Sequence, residues 1–433
     1  MYFVPPIMKK IIISLLLALV YLSCKKEEVI VVIPNDSSMQ LSVDQVLNDS
    51  GIVLKWNKYN NERFSKYRLI RYSTYMRNGV FGNHWDTLDT NTDPNHLTYT
   101  DQNIPLTNNA AYYLHAYNDS GRIVASAYLN YPLPRGLFFG QPKDILFDKD
   151  HHWLYITEEN KVSVVDYNSN RIRLVKEFPM GIGYCSLGKY NGSDELYVPS
   201  YDGWLYILNA ATLEQKDRIY VAGYRIGSVV SVNDKLFVGS SDMTSGTYAN
   251  CVKSYDRGSK AMLGRTGYWD ATRLMHLTGT TIELVDLSIN LMPVDLSYYQ
   301  FDANGVPVFR LNDSYHSDYQ MDVSVFRSFP DGSRFITSGY GTVFNKSLVF
   351  DRYLKPNGNY ADFAFNDDAT RIYSADRVLK KIDVIAYPST TLVTSYPLQW
   401  YPYKIFRDNT TLLCISKTYN YQLTYLLIER VNL

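Results

Sequence analysis

The sequence feature that most constrains the fold is a motif that recurs seven times between residues 140 and 433. Each copy has a polar turn, usually with an aspartate, followed by a short apolar segment typical of a β-strand. The copies are anchored on Leu154, Leu196, Leu236, Ile282, Phe335, Ile372 and Leu413. Seven units over this range average 42 residues, a length that holds three or four strands. The period therefore predicts an all-β array of small sheets.

A second apolar segment follows most anchors and commonly ends in Asp or Asn, as at Val164–Asp166. This pattern resembles the YVTN/NHL/WD-like group of β-propellers, and the resemblance implies a seven-bladed β-propeller over residues 136–433. Closure of the ring would then take a strand from near Gly136–Phe139, which removes an exposed sheet edge. Six blades with one irregular unit stay an alternative, because the steps that begin at Leu236 and Ile282 are longer than the others.

Residues 40–134 contain short alternating segments between turn signals, typical of half-buried strands. Apolar side chains alternate in Ile52–Trp56, in Tyr67–Leu69 and in Tyr112–Ala116. The early Trp, the Tyr-x-Leu-x-Ala-x-Asn segment and the glycine turn after it resemble a fibronectin type III domain. That resemblance implies a sandwich of about seven strands that serves as a spacer or interaction domain. Gly79–Asp93 departs from the pattern and is predicted to be a long polar insertion.

The N-terminus carries the features of an export signal. Met8–Lys10 is basic, and the apolar run Ile11–Tyr21 is too short for a membrane-spanning helix but suits a signal peptide core. The sequence Tyr-Leu-Ser-Cys that ends at Cys24 resembles a lipobox, which implies a signal peptide over residues 1–23 and lipidation of Cys24. A secretory signal cleaved elsewhere is the alternative, and translation could start at Met1 or Met8.

Two lysines and two glutamates follow Cys24 directly, and residues 24–39 are predicted to form a tether. The Lys25–Glu28 run resembles a surface-export signal of some Gram-negative lipoproteins. The resemblance implies a protein lipid-anchored in the outer membrane and exposed at the cell surface. A charge run that is merely solvated is the alternative.

Charge and motif content exclude several classes of function. The net charge is zero, with 43 basic and 43 acidic residues, so nothing indicates a nucleic-acid partner. No Cys-x-x-Cys pair or other metal-ligand spacing occurs, and no P-loop, zinc-protease or nucleophile-elbow motif is present. No cofactor, metal or catalytic residue is therefore predicted.

Tyrosine, with 39 copies, recurs just before the first strand of six of the seven units. Together with nearby charged residues and indoles, these positions predict an aromatic-lined ligand site on one face of the propeller. The candidate ligand-binding residues are Tyr184, Tyr224, Arg225, Tyr268, Trp269, Arg273, Tyr319, Asp322, Tyr360, Asp362, Trp400 and Tyr403. The alternative is that each repeated Tyr packs between neighbouring sheets. Trp269, Trp400, Arg225 and Arg273 break the repeat and are the stronger candidates for binding.

The sequence therefore predicts a cell-surface lipoprotein that binds an extracellular glycan or protein through the propeller face. One alternative is an extracellular polysaccharide hydrolase or lyase, for which Asp322 and Asp362 would be the carboxylate pair. Another is a structural partner in an outer-membrane complex. A shallow aromatic face would favour glycan binding, two acids at catalytic separation would favour the enzyme, and a flat apolar patch would favour a protein partner.

Overall fold

A computed structural model describes residues 39–433, apart from 49, 61–62, 78–79, 106, 134–136, 224, 242–249, 268–270, 278–280, 290, 316 and 418–424. Every regular element in these residues is a β-strand, and the all-β prediction is confirmed. No helix that could cross a membrane is found in the described part of the chain. The predicted signal peptide, Cys24 and all of the tether except Met39 lie outside the described residues.

The chain divides into two compact units. The first comprises the described parts of residues 1–73, 84–103 and 111–131; residues 74–83 and 104–110 group with the second unit, which continues from 132 to 433. Seven strands cover the N-terminal region: β1 (Leu41–Asn48), β2 (Gly51–Trp56), β3 (Phe64–Arg77), β4 (Val80–Asn91), β5 (Thr98–Asp101), β6 (Asn109–Asn118) and β7 (Ile123–Pro132). They form a three-stranded sheet in the order β1-β2-β5 and a four-stranded sheet in the order β4-β3-β6-β7.

The core of the first unit is built from the alternating residues that the sequence singled out. Ile52, Leu54 and Trp56 are buried on β2, and Tyr112 and Leu114 are buried on β6. The prediction of a long polar insertion at Gly79–Asp93 is wrong. Residues 80–91 form the edge strand β4 in a long hairpin with β3, because their polar residues lie on a sheet edge where one face meets solvent.

Seven four-stranded antiparallel sheets follow in the described residues. Six of them each use four consecutive strands. Sheet 1 contains β9 (Asp144–Asp148), β10 (Trp153–Thr157), β11 (Lys161–Asp166) and β12 (Arg171–Glu177); sheet 2 contains β13 (Ser186–Tyr190), β14 (Ser193–Pro199), β15 (Trp204–Asn209) and β16 (Gln215–Tyr220); sheet 3 contains β17 (Ile226–Val232), β18 (Lys235–Ser240), β19 (Val252–Asp256) and β20 (Met262–Thr266).

Sheets 4 to 6 repeat this order. Sheet 4 contains β21 (Thr272–Leu277), β22 (Ile282–Ser288), β23 (Leu296–Phe301) and β24 (Pro307–Asn312); sheet 5 contains β25 (Phe326–Ser328), β26 (Arg334–Thr337), β27 (Thr342–Asn345) and β28 (Phe350–Tyr353); sheet 6 contains β29 (Tyr360–Phe365), β30 (Arg371–Asp376), β31 (Lys381–Ala386) and β32 (Thr391–Pro397).

Sheet 7 combines the two ends of this region. It contains β33 (Tyr401–Asp408), β34 (Thr411–Lys417), β35 (Tyr425–Asn432) and, paired with β35, β8 (Leu137–Phe139). The early strand is the one that the sequence predicted for closure. Pairing β8 with β35 gives the last sheet its fourth strand, since the described residues after sheet 6 supply three.

Apolar clusters lie between all successive sheets, and one lies between sheet 7 and sheet 1. That last cluster joins Ile145 and Leu154 of sheet 1 to Phe406 and Leu413 of sheet 7. The seven repeat anchors all lie on the second strand of a sheet and are at most 2 % exposed. The series of sheets therefore closes on itself, an arrangement compatible with a β-propeller.

The recurring Asp or Asn has a local explanation. Asp166 and Asn209 each end the third strand of a sheet and accept a hydrogen bond from the backbone N–H two residues later, at 2.9 and 2.8 Å. This Asx turn starts the hairpin to the fourth strand. In sheet 5 the residue that ends the third strand and makes this turn is Asn345, and Asp351 lies on the fourth strand.

Candidate functional site

The first strands of the sheets meet at the centre of the second unit. Asp144 begins the first strand of sheet 1, and its carboxylate lies 2.7 Å from Arg273 of sheet 4 and 3.1 Å from Lys404 of sheet 7. Three sheets that are distant in sequence therefore contribute one ion-paired group. All three side chains are at least nine-tenths buried.

A second buried ion pair lies nearby, between sheets 5 and 6. Arg327 donates from Nε and Nη2 to the two carboxylate oxygens of Asp362, at 2.8 and 2.6 Å, and Asp362 is fully buried. The Asp362 carboxylate also accepts the backbone N–H of Ile405 at 3.0 Å. We call Asp144, Arg273, Arg327, Asp362 and Lys404 the ion-pair cluster.

The ion-pair cluster keeps Asp144 ionised. Burial alone would raise the pKa of Asp144, but Lys404 and Arg273, with a smaller contribution from Arg327, outweigh burial and hold the pKa of that carboxyl well below its usual range. A carboxyl with a lowered pKa does not hold a proton near neutral pH. Asp144 is therefore unsuited to act as a general acid.

A cavity of about 560 Å³ runs along these first strands. Its lining includes Asp144, Tyr184, Arg273 and Arg327, and deeper positions are apolar or small, such as Leu274. Its volume falls in the range of about 300–1,000 Å³ that is common for small-molecule sites. The cavity thus offers a polar region of both charges next to an apolar wall.

Tyr184 and Arg273, two of the predicted site residues, lie together. The Arg273 guanidinium lies 4.0 Å from the centre of the Tyr184 ring. Lys143 is close to the same ring, at 5.4 Å, and its ammonium donates to the Tyr201 hydroxyl at 2.7 Å. Arg225, which is exposed, lies 5.2 Å from the Tyr201 ring centre. The rings of Tyr184 and Tyr201 therefore each lie within cation–π distance of two cations.

Three predicted site residues make contacts within the protein that explain their positions without a ligand. Tyr360 is 1 % exposed, and its hydroxyl lies 3.2 Å from the Asp383 carboxylate. Tyr319 stacks on Phe350 with ring centres 4.1 Å apart. Trp400 is 7 % exposed, and its backbone N–H donates to Glu429 at 3.3 Å. A ligand-binding role for these three residues stays a prediction.

The remaining predicted site residues are Tyr403 and Asp322, which the structure describes, and three others that it does not. The Tyr403 hydroxyl donates to the Pro142 and Lys143 carbonyls at 3.0 and 2.9 Å, which joins sheet 7 to the start of sheet 1. Asp322 is partly buried and accepts from the Ser324 N–H and hydroxyl. Tyr224, Tyr268 and Trp269 lie outside the described residues.

A smaller cavity of about 210 Å³ lies beside the ion-pair cluster. It is lined by Ser324, Ala361, Arg377, Tyr401, Pro402, Tyr403 and Lys417, and we call it the Lys417 pocket. The Lys417 ammonium lies 3.3 Å from the centre of the Tyr403 ring. Lys417 and Arg377 were not predicted from the sequence, because no motif surrounds either of them; Lys417 ends β34 and Arg377 directly follows β30.

Sequence analysis also missed a row of rings on the four-stranded sheet of the first unit. Tyr72 contacts Trp85 with ring centres 4.5 Å apart, Trp85 contacts Tyr113 at 5.2 Å, and Tyr113 contacts Tyr128 at 5.1 Å. Trp85 is 60 % exposed and Tyr128 is 57 % exposed. We call these four residues the aromatic row. The sequence signal that could have revealed the aromatic row is the presence of aromatic residues at solvent-facing positions of strands.

Among the described residues, no group of three or more His, Cys, Asp or Glu could hold a metal ion. Cys185, Cys251 and Cys414 are buried free thiols. Burial raises the pKa of the Cys185 thiol above its usual range, which makes it a poor nucleophile.

Comparison with known proteins adds little to this geometry. No protein-family model matches the sequence, and no curated protein matches it. A hydrazine synthase structure from Kuenenia stuttgartiensis is a distant structural neighbour, with 14 % sequence identity and a TM-score of 0.48, over 68 % of this chain and 96 % of that one.

Proposed function

We propose that this chain is a lipid-anchored cell-surface protein that binds an extracellular glycan. In this proposal a fibronectin type III-like domain precedes a seven-bladed β-propeller, and the face where the first strands begin is the binding face. The closed series of seven sheets and the cavity of about 560 Å³ at its centre support the propeller assignment.

The observation that carries binding rather than hydrolysis is the state of the acids at this face. Asp144 and Asp362 are both buried and ion-paired to arginine or lysine. A glycosidase needs one carboxylic acid that keeps its proton and a second carboxylate at a short separation from it. The groups left at this face to meet a ligand are instead cations such as Arg225 and Lys417, each beside an aromatic ring.

The aromatic row favours a glycan over a protein partner. Trp and Tyr rings present flat apolar faces with a polar edge, a combination that matches the apolar face and hydroxyl edge of a sugar ring. The four rings extend across the sheet as a shallow strip, and the exposed fractions of Trp85 and Tyr128 leave their faces accessible. Several successive sugars of a chain could stack along such a strip.

Affinity gel electrophoresis of the full chain in detergent, with neutral and acidic polysaccharides, tests the proposal. Retardation without release of reducing ends is expected. Release of reducing ends would favour the hydrolase alternative, and no retardation in any gel would contradict glycan binding. Arg225→Ala should weaken retardation severalfold, whereas Arg171→Ala, an exposed arginine on the outer strand of sheet 1, should leave it unchanged.

The anchor is tested separately. Fatty-acid labelling in a lipoprotein-processing bacterial host should mark the wild-type chain and not Cys24→Ala. Protease added to intact cells should degrade the wild-type protein if it is exposed at the surface. Labelling of the Cys24→Ala variant would contradict the lipobox assignment.

A further inference from the structure

The Lys417 pocket is a small cavity with several polar groups around it. Its volume of about 210 Å³ is far above the roughly 10–15 Å³ that one water needs. Lys417, at the end of β34, and Arg377, directly after β30, come from sheets 7 and 6. Tyr401 and Tyr403, on β33, supply the ring surface of the pocket.

The charges around Lys417 are unusual because they are all positive. The two charged groups that act on the Lys417 ammonium are Lys404 and Arg377. Burial, then these two cations, lower the pKa of Lys417 to about 8. The Nε of Arg377 is buried and has no hydrogen-bond partner among the described residues.

Nearby carboxylates do not relieve this charge, because other cations hold them. Asp144 is bound by Arg273 and Lys404, and Asp362 is bound on both oxygens by Arg327. Lys404 also donates to the Ser324 carbonyl at 3.0 Å. Lys417 and Arg377 are partly buried. A cation partly removed from water without an opposite charge is costly, and a bound anion would supply the missing partner.

We propose that the Lys417 pocket is a subsite for one oxyanion, the carboxylate or sulfate ester of an acidic sugar in a glycan. Lys417 and Arg377 would donate charge-assisted hydrogen bonds to the oxyanion, and Tyr401 or Tyr403 would contact the sugar that carries it. This inference rests on the proposed glycan-binding function and names its ligand class.

Matched polymers test the charge requirement on the full chain in detergent. The pairs are dextran sulfate with dextran, and polygalacturonate with its methyl-esterified form, and each pair differs in its anions. The wild-type protein should bind at least one acidic polymer about tenfold or more tightly than its neutral partner. Preference within only one pair identifies the oxyanion as sulfate or carboxylate. Equal binding of poly-glutamate would overturn the assignment to a glycan.

Variants separate the pocket from general charge. Lys417→Met and Arg377→Met should each reduce the preference for the acidic polymer by about tenfold and leave binding of its neutral partner unchanged. Lys417→Arg should retain the preference within a few fold. Lys189→Met, which removes a lysine with a 68 % exposed side chain on β13, is the matched control and should change nothing. An undiminished preference in Lys417→Met would overturn the inference and leave the proposed function intact.

A further measurement covers the case in which the wild type binds no polymer, an outcome that would refute the proposed function. The melting temperature is then compared in galacturonate, galactose and inorganic sulfate. A rise with galacturonate or sulfate that is absent in Lys417→Met would support an oxyanion site in the pocket. No rise with either anion would overturn the inference as well.

Discussion

The ion-pair cluster and the Lys417 pocket are neighbours built from the same kinds of residue, yet their charges are arranged differently. In the cluster, the cations Arg273, Arg327 and Lys404 contact two carboxylates at 2.6–3.1 Å. In the pocket, Lys417 has only cations as charged neighbours. Paired charges join distant strands of the fold, whereas a charge held away from water without an opposite partner costs stability and is expected where a ligand supplies the counter-charge.

The largest expected effect that tests this comparison is the loss of stability when Asp362 is replaced. Asp362→Ala leaves Arg327 without its partner at a buried site, and removing one member of a buried pair costs about 3–5 kcal/mol. The free energy of unfolding, measured with denaturant, should fall by that amount. Asp367→Ala is the control, because the Asp367 side chain is 93 % exposed in its pair with Arg407 and should matter by less than about 1 kcal/mol. Similar losses in both variants would contradict the structural role of the cluster.

Asp144 should link stability to pH. Its pKa is lower in the folded chain than the value of about 3.9 expected when unfolded, so the unfolded state binds the proton more readily below that value. The stabilisation from Asp144 is therefore fully present well above pH 4 and is lost as the pH falls through and below it. Denaturation followed from pH 7 to pH 3 should show a smaller decline in Asp144→Asn than in the wild type. Parallel declines would indicate that Asp144 is not held by Lys404 and Arg273.

Lys417 should have the opposite effect on stability. Its pKa of about 8 lies below the value of about 10.4 for an unfolded lysine, so the unfolded state binds more protons between these values. Stability should rise as the pH increases from about 8 to about 10.4, because the penalty for burying this charge disappears. The groups that face it are Lys404, Arg377 and the ring of Tyr403.

Lys417→Met should therefore raise the melting temperature at pH 7, and its advantage over the wild type should shrink towards pH 10. Thermal unfolding of both proteins across this range measures the difference directly. A lower melting temperature for the variant at pH 7 would break the contrast between cluster and pocket, since Lys417 would then be a stabilising residue.

The smallest expected effect concerns the aromatic row. Trp85→Ala should weaken binding of a glycan polymer by about 0.5–1.5 kcal/mol, the range for one aromatic contact, with little change in stability because Trp85 is largely exposed. Leu379→Ala, which removes a 58 % exposed side chain of sheet 6, is the control for an exposed apolar residue. Affinity gels with a neutral polysaccharide measure the effect, and unchanged mobility would remove the row from the binding surface.

Structural features that arise from interactions between residues close in sequence could be predicted from local sequence patterns. The anchors Leu154 and Leu236 are fully buried because the second strand of each sheet packs against neighbours on both sides, and such strands read as short apolar runs. The side-chain oxygens of Asp166 and Asn209 accept a hydrogen bond from the backbone N–H two residues later, so these turns could be inferred from nearby residues alone. The hairpin of β3 and β4 was missed because a polar edge strand and a polar loop have similar composition.

The roles of the site residues were less predictable for a geometric reason. A tyrosine before each first strand is compatible both with a ligand surface and with packing, and only the position of its hydroxyl distinguishes them. In Tyr360 that group reaches the buried Asp383, while Tyr184 is stacked under Arg273 beside the cavity. Nothing in the adjacent sequence separates these two environments.

The sequence by itself determined the all-β class, the period of the repeat and the early strand β8 that completes the last sheet. These follow from hydrophobic alternation and turn residues, which act over a few positions. Only the tertiary structure decided which charges meet. Asp144 and Arg273 are 129 residues apart, and their contact exists because the closed series of sheets brings first strands together at the centre. The same closure leaves Lys417 with Lys404 and Arg377 as its charged neighbours among the described residues, since charge balance within a fold depends on distances that no linear pattern contains.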